Sequence, residues 1–251
     1  MFSGKHVIVA LFAGGVGSRM RRADKIPKQF IKVNGKEILA YTLDCFEQNP
    51  HIDEIYLATH PDWIEATEDL VEQYGYTKVK TVTEGGASAQ ESAYRALVAA
   101  EAAGVNTGET IALISDGVRP VIPDALIERC LAGVVEHGNA ITSIPAFETV
   151  AITTPDGKMV ADVPDRNLMY VLQAPQCFNL DTALALHRQS IERGEMGTFI
   201  DHAHMARTYG HDLHLVAGIR GNIKLTVKND IQQFEYLVSK HPNGNYRNEI
   251  E

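Results

Sequence analysis

Short apolar runs alternate along the chain with segments whose apolar residues recur every three or four positions. Val7–Leu11, Glu54–Ala58, Val79–Val82, Thr110–Ile114 and Ala140–Ile144 carry continuous apolar or β-branched character, the pattern of buried strands. Between them, Glu37–Gln48, Asp62–Gln73, Ala89–Ala103 and Pro123–Glu136 show helical spacing. In the first of these, Ile38, Leu39, Leu43 and Phe46 share roughly one face. Pro123 suits an early helical position, where no backbone donor is needed. This rhythm predicts an α/β fold: a mostly parallel sheet flanked by helices on both faces. Such sheets bind ligands at the carboxyl ends of their strands, which points to the loops after Leu11, Val82 and Ile114.

The rhythm breaks between Thr149 and Leu172. Val150–Thr154 and Met159–Asp162 flank Pro155-Asp156-Gly157, a turn sequence, and predict a protruding β-hairpin. A hairpin that leaves an α/β core in this way suits an arm for a second subunit, spanning about 146–172. Helices are expected at Asp181–Arg193, His202–Tyr209 and Asp230–Ser239, with strands at Leu213–Val216 and Lys224–Thr226. Residues 1–240 read as a single domain, and 241–251 as a polar tail expected to fray.

The composition narrows the chemistry. The 251 residues carry a formal net charge of -9, which disfavours general nucleic-acid binding, since that rests on neutralising many phosphates. The run Val7–Phe12 is too short to span a membrane, and no membrane partner is expected. Cys45, Cys130 and Cys177 are widely spaced and form no CxxC pair; they read as buried reduced thiols of a cytoplasmic protein. Any anion site must be built from a few placed cations and backbone N–H groups.

The first loop has those parts. Phe12-Ala13-Gly14-Gly15-Val16-Gly17-Ser18-Arg19-Met20 follows the first strand, and Pro27-Lys28-Gln29 follows soon after. Glycines let a backbone approach a phosphate, and successive N–H groups form an anion-binding nest. The loop is not a P-loop, having no Gly-Lys-Ser/Thr ending, nor a dinucleotide fingerprint, since Met20 stands at the third glycine position. Gly85-Gly86-Ala87-Ser88-Ala89-Gln90-Glu91-Ser92 enters a helix, and Ser88 with Glu91 forms a capping-box pattern. Ser115-Asp116-Gly117-Val118-Arg119-Pro120 ends a buried strand, where a carboxylate can hold a divalent cation beside substrate phosphates. Asp230 starts a helix and reads as a cap. Asp201, His202 and His204 form a weak metal pattern, because helical positions i and i+2 point apart.

The pattern A-G-G-x-G-x-R-M…P-K-Q, with Asp116-Gly117-Val118-Arg119-Pro120, Asp165-Arg166-Asn167, Gln173-Ala174-Pro175-Gln176 and Asn222-Ile223-Lys224, resembles the cytidylyltransferases related to 2-C-methyl-D-erythritol 4-phosphate cytidylyltransferase and ribitol-5-phosphate cytidylyltransferase. The resemblance runs along nearly the whole chain and implies a Rossmann-like fold whose arm interlocks two subunits in a homodimer. It implies that Phe12, Ala13, Gly14, Gly15, Gly17, Gly85, Gly86, Ser88, Glu91 and Ser92 bind CTP. Arg19, Lys28, Arg166 and Lys224 are the implied catalytic cations, Arg166 reaching into the neighbouring subunit's site. Asp116, Arg119 and Thr149 are implied to serve the acceptor, with Asp116 also a ligand for Mg²⁺ or another divalent cation. This sequence departs from the pattern at Ala87, Ala89 and Ala174.

The expected reaction joins CTP to a small polyol phosphate and releases pyrophosphate. His60-Pro61-Asp62-Trp63, Phe30 after Pro27-Lys28-Gln29, and Met169-Tyr170 lean toward D-ribitol 5-phosphate as acceptor. 2-C-methyl-D-erythritol 4-phosphate is the alternative. A non-catalytic nucleotide-binding homologue and a dinucleotide-dependent reductase are the readings from other classes.

Overall fold

The computed structural model describes residues 1–14, 26–241 and 245–247. The elements, in chain order, are β1 (His6–Ala13), β2 (Lys32–Val33), β3 (Lys36–Glu37), α1 (Ile38–Glu47), β4 (Glu54–Thr59), α2 (Ile64–Tyr74), β5 (Val79–Glu84), α3 (Ala89–Ala102), β6 (Thr110–Asp116) and α4 (Asp124–His137). They continue with β7 (Asn139–Pro145), β8 (Ile152–Thr153), β9 (Val160–Asp162), β10 (Tyr170–Asn179), α5 (Leu180–Glu192), α6 (His202–Thr208), β11 (Leu215–Ala217) and α7 (Lys228–Lys240). Seven strands form the central sheet in the order β11-β7-β10-β6-β1-β4-β5. All neighbours run parallel except β10, which is antiparallel to both β6 and β7. The mostly parallel α/β sheet expected from the sequence is therefore present, and β8 and β9 form the expected hairpin.

β1 shows why a continuous apolar run makes a central strand. Val7, Val9 and Leu11 point into one core with α1 and α4, while Ile8 and Ala10 point into a second core with α3, α5 and α6. Pairing aligns the carboxyl ends. Phe12 lies opposite Asp116, and Ala13 lies opposite Thr59, which in turn faces Glu84. From β1 the chain winds outward through β4 and β5, then returns to place β6 on the other side. That reversal opens a crevice at the carboxyl edge.

Several sequence expectations need correction. Tyr170–Asn179 is a ten-residue strand in the middle of the sheet, although its Gln173-Ala174-Pro175-Gln176 stretch has no strand alternation. The register against β7 slips between Leu172 and Gln176, and Thr142 Oγ1 donates to the Pro175 carbonyl there at 2.7 Å. Lys224–Thr226 is not a strand. It is an irregular segment held by a hydrogen bond from Leu225 N to Val118 O, with Leu225 fully buried. Pro123 caps α4 rather than opening it, and Pro61–Trp63 forms a separate 3-10 turn before α2. Within the tail, Tyr246 and Arg247 are buried, and the Tyr246 ring packs edge-on against Tyr41 and Phe234 in a third core. A polar segment with one well-placed aromatic gains enough burial to dock. The three cysteines are buried and free, as expected.

Two histidines lie buried within the second core's layer. His187 on α5 and His202 on α6 have ring centroids 5.1 Å apart. Burial pushes the His202 imidazole down to about 4, with Asp201 and Asp116 offsetting only part of it. An unfolded histidine takes its proton near 6.5, so between about pH 6.5 and 4 the unfolded chain binds more protons than the folded one. Stability therefore falls as pH drops through that window, by about 3 kcal/mol for His202. Denaturant titrations at pH 7 and 4.5 are expected to show this loss, and His202→Gln to make it shallower. An equally steep loss in His202→Gln would exclude this source. Tyr246→Ala is expected to cost about 3 kcal/mol by emptying its pocket. Tyr246→Phe should cost almost nothing, because the hydroxyl has no partner among the described residues. Thermal melts of both variants check this.

Candidate active site

The crevice at the carboxyl edge of β1, β4, β5 and β6 holds a cavity of about 330 Å³. Its floor is Phe12, Ala13 and Gly14, continuing straight out of β1. A β-carbon on Gly117 would come within 2.8 Å of the Ala13 side chain, so glycine is what lets the ends of β1 and β6 close together. Gly117 N donates to Phe12 O at 2.9 Å and fixes that contact. Gly15, Gly17 and Arg19 lie outside the described residues.

The wall comes from the turn between β5 and α3. Gly85 packs behind it, where a β-carbon would sit 2.9 Å from the Thr59 carbonyl oxygen. Gly86 and Ser88 line the cavity. Ser92 Oγ accepts from Gly86 N at 3.0 Å and donates to Ser88 O at 2.8 Å. Ser88 Oγ accepts from Glu91 N at 3.0 Å, the cap expected from the sequence. The return half of the capping box falls one residue earlier, with Glu91 accepting from Ala87 N at 2.8 Å. That bond, together with Arg95, holds the Glu91 carboxyl below the usual carboxylate range. Glu91 and Ser92 thus spend their side-chain bonds shaping the loop.

Two lysines enter from different parts of the chain. Lys28 precedes Gln29, which is buried and whose amide donates to Ala13 O. Phe30 stacks on Trp63 at 4.8 Å. These two anchors set the segment that carries Lys28 against the first cavity. Lys224 pairs with one oxygen of Asp116, and Arg119 Nε with the other at 2.8 Å. Burial raises the Asp116 carboxyl, but Lys224 and Arg119 outweigh it and hold the group below the usual range. Asp116 is therefore an ionised, buried carboxylate. The Lys224 segment is tied to β10, since Arg119 Nη1 donates to Asn222 O at 2.9 Å and Asn222 Nδ2 to Ala174 O at 2.6 Å. Asp230 accepts from Thr226 N and Val227 N at the start of α7, the capping role expected of it.

Past Phe12, Asp116 and Lys224 the cavity continues into a second lobe of about 230 Å³. Its walls include Arg119, Gln173, Gln176, Phe199, Asp201 and His202. Sequence reasoning gave no role to Gln29, Phe199 or His202. Gln29 lay inside a quoted motif, and the other two come from the start of α6 and the segment just before it, distant in sequence. Arg166 and Thr149 line neither lobe; both are exposed on or beside the hairpin. No group of three or more His, Cys, Asp or Glu suited to a metal occurs among the described residues, Asp201, His202 and His204 included. The geometry is that of two compartments meeting at a cationic rim, suited to bringing two phosphorylated ligands together.

Comparison with known proteins places this architecture. Residues 7–240 match the family model described as IspD, 2-C-methyl-D-erythritol 4-phosphate cytidylyltransferase. A ribitol-5-phosphate cytidylyltransferase of Vibrio parahaemolyticus is 38% identical over 94% of this chain and 97% of its own length. A 2-C-methyl-D-erythritol 4-phosphate cytidylyltransferase of Geotalea uraniireducens is 37% identical over 87% and 91%. In fold, the chain is similar to the crystal structure of 4-diphosphocytidyl-2C-methyl-D-erythritol synthase from Anaerococcus prevotii, with a TM-score of 0.78 and 24% identity over 94% of this chain and 97% of that one. No helix among the described residues is long and apolar enough to cross a membrane. With its sheet, its crevice and nearly its whole length accounted for, the chain belongs to the IspD family of cytidylyltransferases and is a nucleotidyltransferase.

Proposed function

We propose that this enzyme transfers the cytidylyl group of CTP to D-ribitol 5-phosphate, giving CDP-ribitol and pyrophosphate. The observation that carries the reading is the shared rim of the two lobes, where Lys224, Asp116 and Phe12 belong to both and Lys28 belongs to the first. The triphosphate lies over the Phe12–Gly14 floor with Lys28 and, from the resemblance, Arg19 beside it. The acceptor phosphate lies in the second lobe against Lys224. One acceptor oxygen attacks the α-phosphorus; the new P–O bond forms as the bond to the β-phosphate oxygen breaks. Two anions must meet, so fixed cations dominate the barrier, and a phosphate dianion needs no general base. The ionised Asp116 carboxylate, with lone pairs left beyond its two ion pairs, fits a divalent cation arriving with the triphosphate better than a resident one. Mg²⁺ held there would neutralise phosphate charge.

Two things support ribitol phosphate. Relatives of that name match the chain over 94% of its length, and Trp63 is used structurally here, as the platform for Phe30 behind Lys28. The 37% identity to a methylerythritol-phosphate enzyme keeps that acceptor as the second reading. Assembly through the hairpin is part of the proposal. Leu168, Met159 and Val160 are 78%, 65% and 63% exposed, an apolar arm suited to cover by a second copy. Arg166, exposed beside them, then serves the partner's acceptor phosphate. The buried free thiols suit a cytoplasmic enzyme.

Lys28→Ala and Arg19→Ala are each expected to lower turnover at least about 10²-fold without unfolding the protein. Pyrophosphate release and a thermal melt check this, and near-normal turnover in both removes the assignment. Lys28→Ala and Arg166→Ala subunits, each inactive alone, are expected to regain about a quarter of wild-type turnover when mixed, since half the dimers then carry one intact site. No recovery on mixing would place Arg166 outside the partner's site.

A further inference from the structure

The second lobe has opposite electrostatic ends. At the rim, Lys224 and Arg119 outnumber Asp116. At the far end, Asp201 is the one acidic or basic side chain apart from His202 that lines the lobe among the described residues, and among them it makes no ion pair with lysine or arginine. Its carboxylate is fixed on both oxygens. Oδ1 accepts from His204 N at 2.8 Å, and Oδ2 accepts from Gln176 Nε2 at 2.9 Å. Gln176 is itself buried, and its Oε1 accepts from Ala203 N at 2.9 Å. A carboxylate has about four acceptor positions, so each oxygen keeps one for a ligand. His202 beside it is held neutral by burial and adds no positive charge. The remaining walls carry no charge: Phe199, Ile200 and Leu172 are apolar, and Gln90 and Gln173 are neutral amides.

We propose that Asp201 is the acceptor-specificity residue of this site, accepting hydrogen bonds from hydroxyls at the distal end of a polyol phosphate, with Gln176 as its positioning residue. This rests on the reading of the second lobe as the acceptor compartment. The far end welcomes neutral hydroxyl donors and repels a second anion. A polyol phosphate ending in CH₂OH fits; the same chain ending in a carboxylate does not.

The test compares D-ribitol 5-phosphate with D-ribonate 5-phosphate, its terminal carboxylate counterpart, by pyrophosphate release at saturating CTP. Wild type is expected to prefer the ribitol compound by about 100-fold or more in kcat/KM. Asp201→Asn keeps a good helix cap, so the fold survives, as a thermal melt checks. It is expected to raise KM for D-ribitol 5-phosphate about tenfold, to leave KM for CTP within about twofold, and to shrink the preference about tenfold. Gln176→Leu should shift KM for the acceptor the same way by less. If Asp201→Asn makes product with unchanged acceptor KM and unchanged preference, the inference is overturned while the functional reading stands. If 2-C-methyl-D-erythritol 4-phosphate alone turns over, an unchanged KM for it in Asp201→Asn overturns the inference equally. Pyrophosphate from neither acceptor with wild type rejects the reading, and the inference with it.

Discussion

An ionised carboxylate at the bottom of a cleft is stable only if its neighbours compensate for lost water. Asp116, at 5% exposure, is the group on which this site depends. Its desolvation costs several kcal/mol, and the attraction of Lys224 and Arg119 returns it. Removing either cation strands the charge, so the three residues act as one unit. They also join parts of the chain far apart in sequence: the end of β6, the turn that follows it, and the irregular segment ahead of α7. The pair with Asp116 fixes Lys224 where the two lobes meet.

That dependence explains what was legible in the sequence. The strand ends were readable because apolar runs stop near Phe12 and Asp116, with Gly14 and Gly117 close behind. The nucleotide loop was readable because Ser88 and Glu91 have a short-range capping logic that needs no tertiary partner. β10 was not readable. Its inward residues include Gln173 and Gln176, whose hydrogen-bond partners are distant in sequence: the carbonyls of Ile219 and Asn222 for the Gln173 Nε2, Asp201 and Ala203 for Gln176. Only the assembled fold supplies those partners. Lys224 failed as a strand residue for a similar reason, since its segment is held by side-chain bonds from Arg119 and Asn222 rather than by a ladder. Tyr246 was lost because one aromatic in a polar tail carries no periodicity.

The two lobes also differ in how they are built. The first has a floor and one wall of small residues on tight turns, Ala13, Gly14, Gly86 and Ser88 among them, with Lys28, His60 and Lys224 around them. The second is made of side chains from β10 and α6 locked to each other by hydrogen bonds. On the reading proposed above, the triphosphate belongs to the first and the acceptor to the second. Several of these groups sit on turns and irregular segments that hydrogen bonds tie to the sheet, as Asn222 is tied to Ala174 and Gly85 to Thr59.

The reversed direction of β10 has a consequence for how such an enzyme changes over time. A strand running against its neighbours enters the sheet at the same edge where they end. The hairpin, which leaves from the end of β7 and returns into the start of β10, is thereby rooted at the mouth of the cleft. Lengthening or trimming its tip disturbs no buried strand, because its two roots, Pro145 and Tyr170, are paired with each other at that edge. The outward-reaching arm can thus vary in length while the sheet beneath it keeps its register.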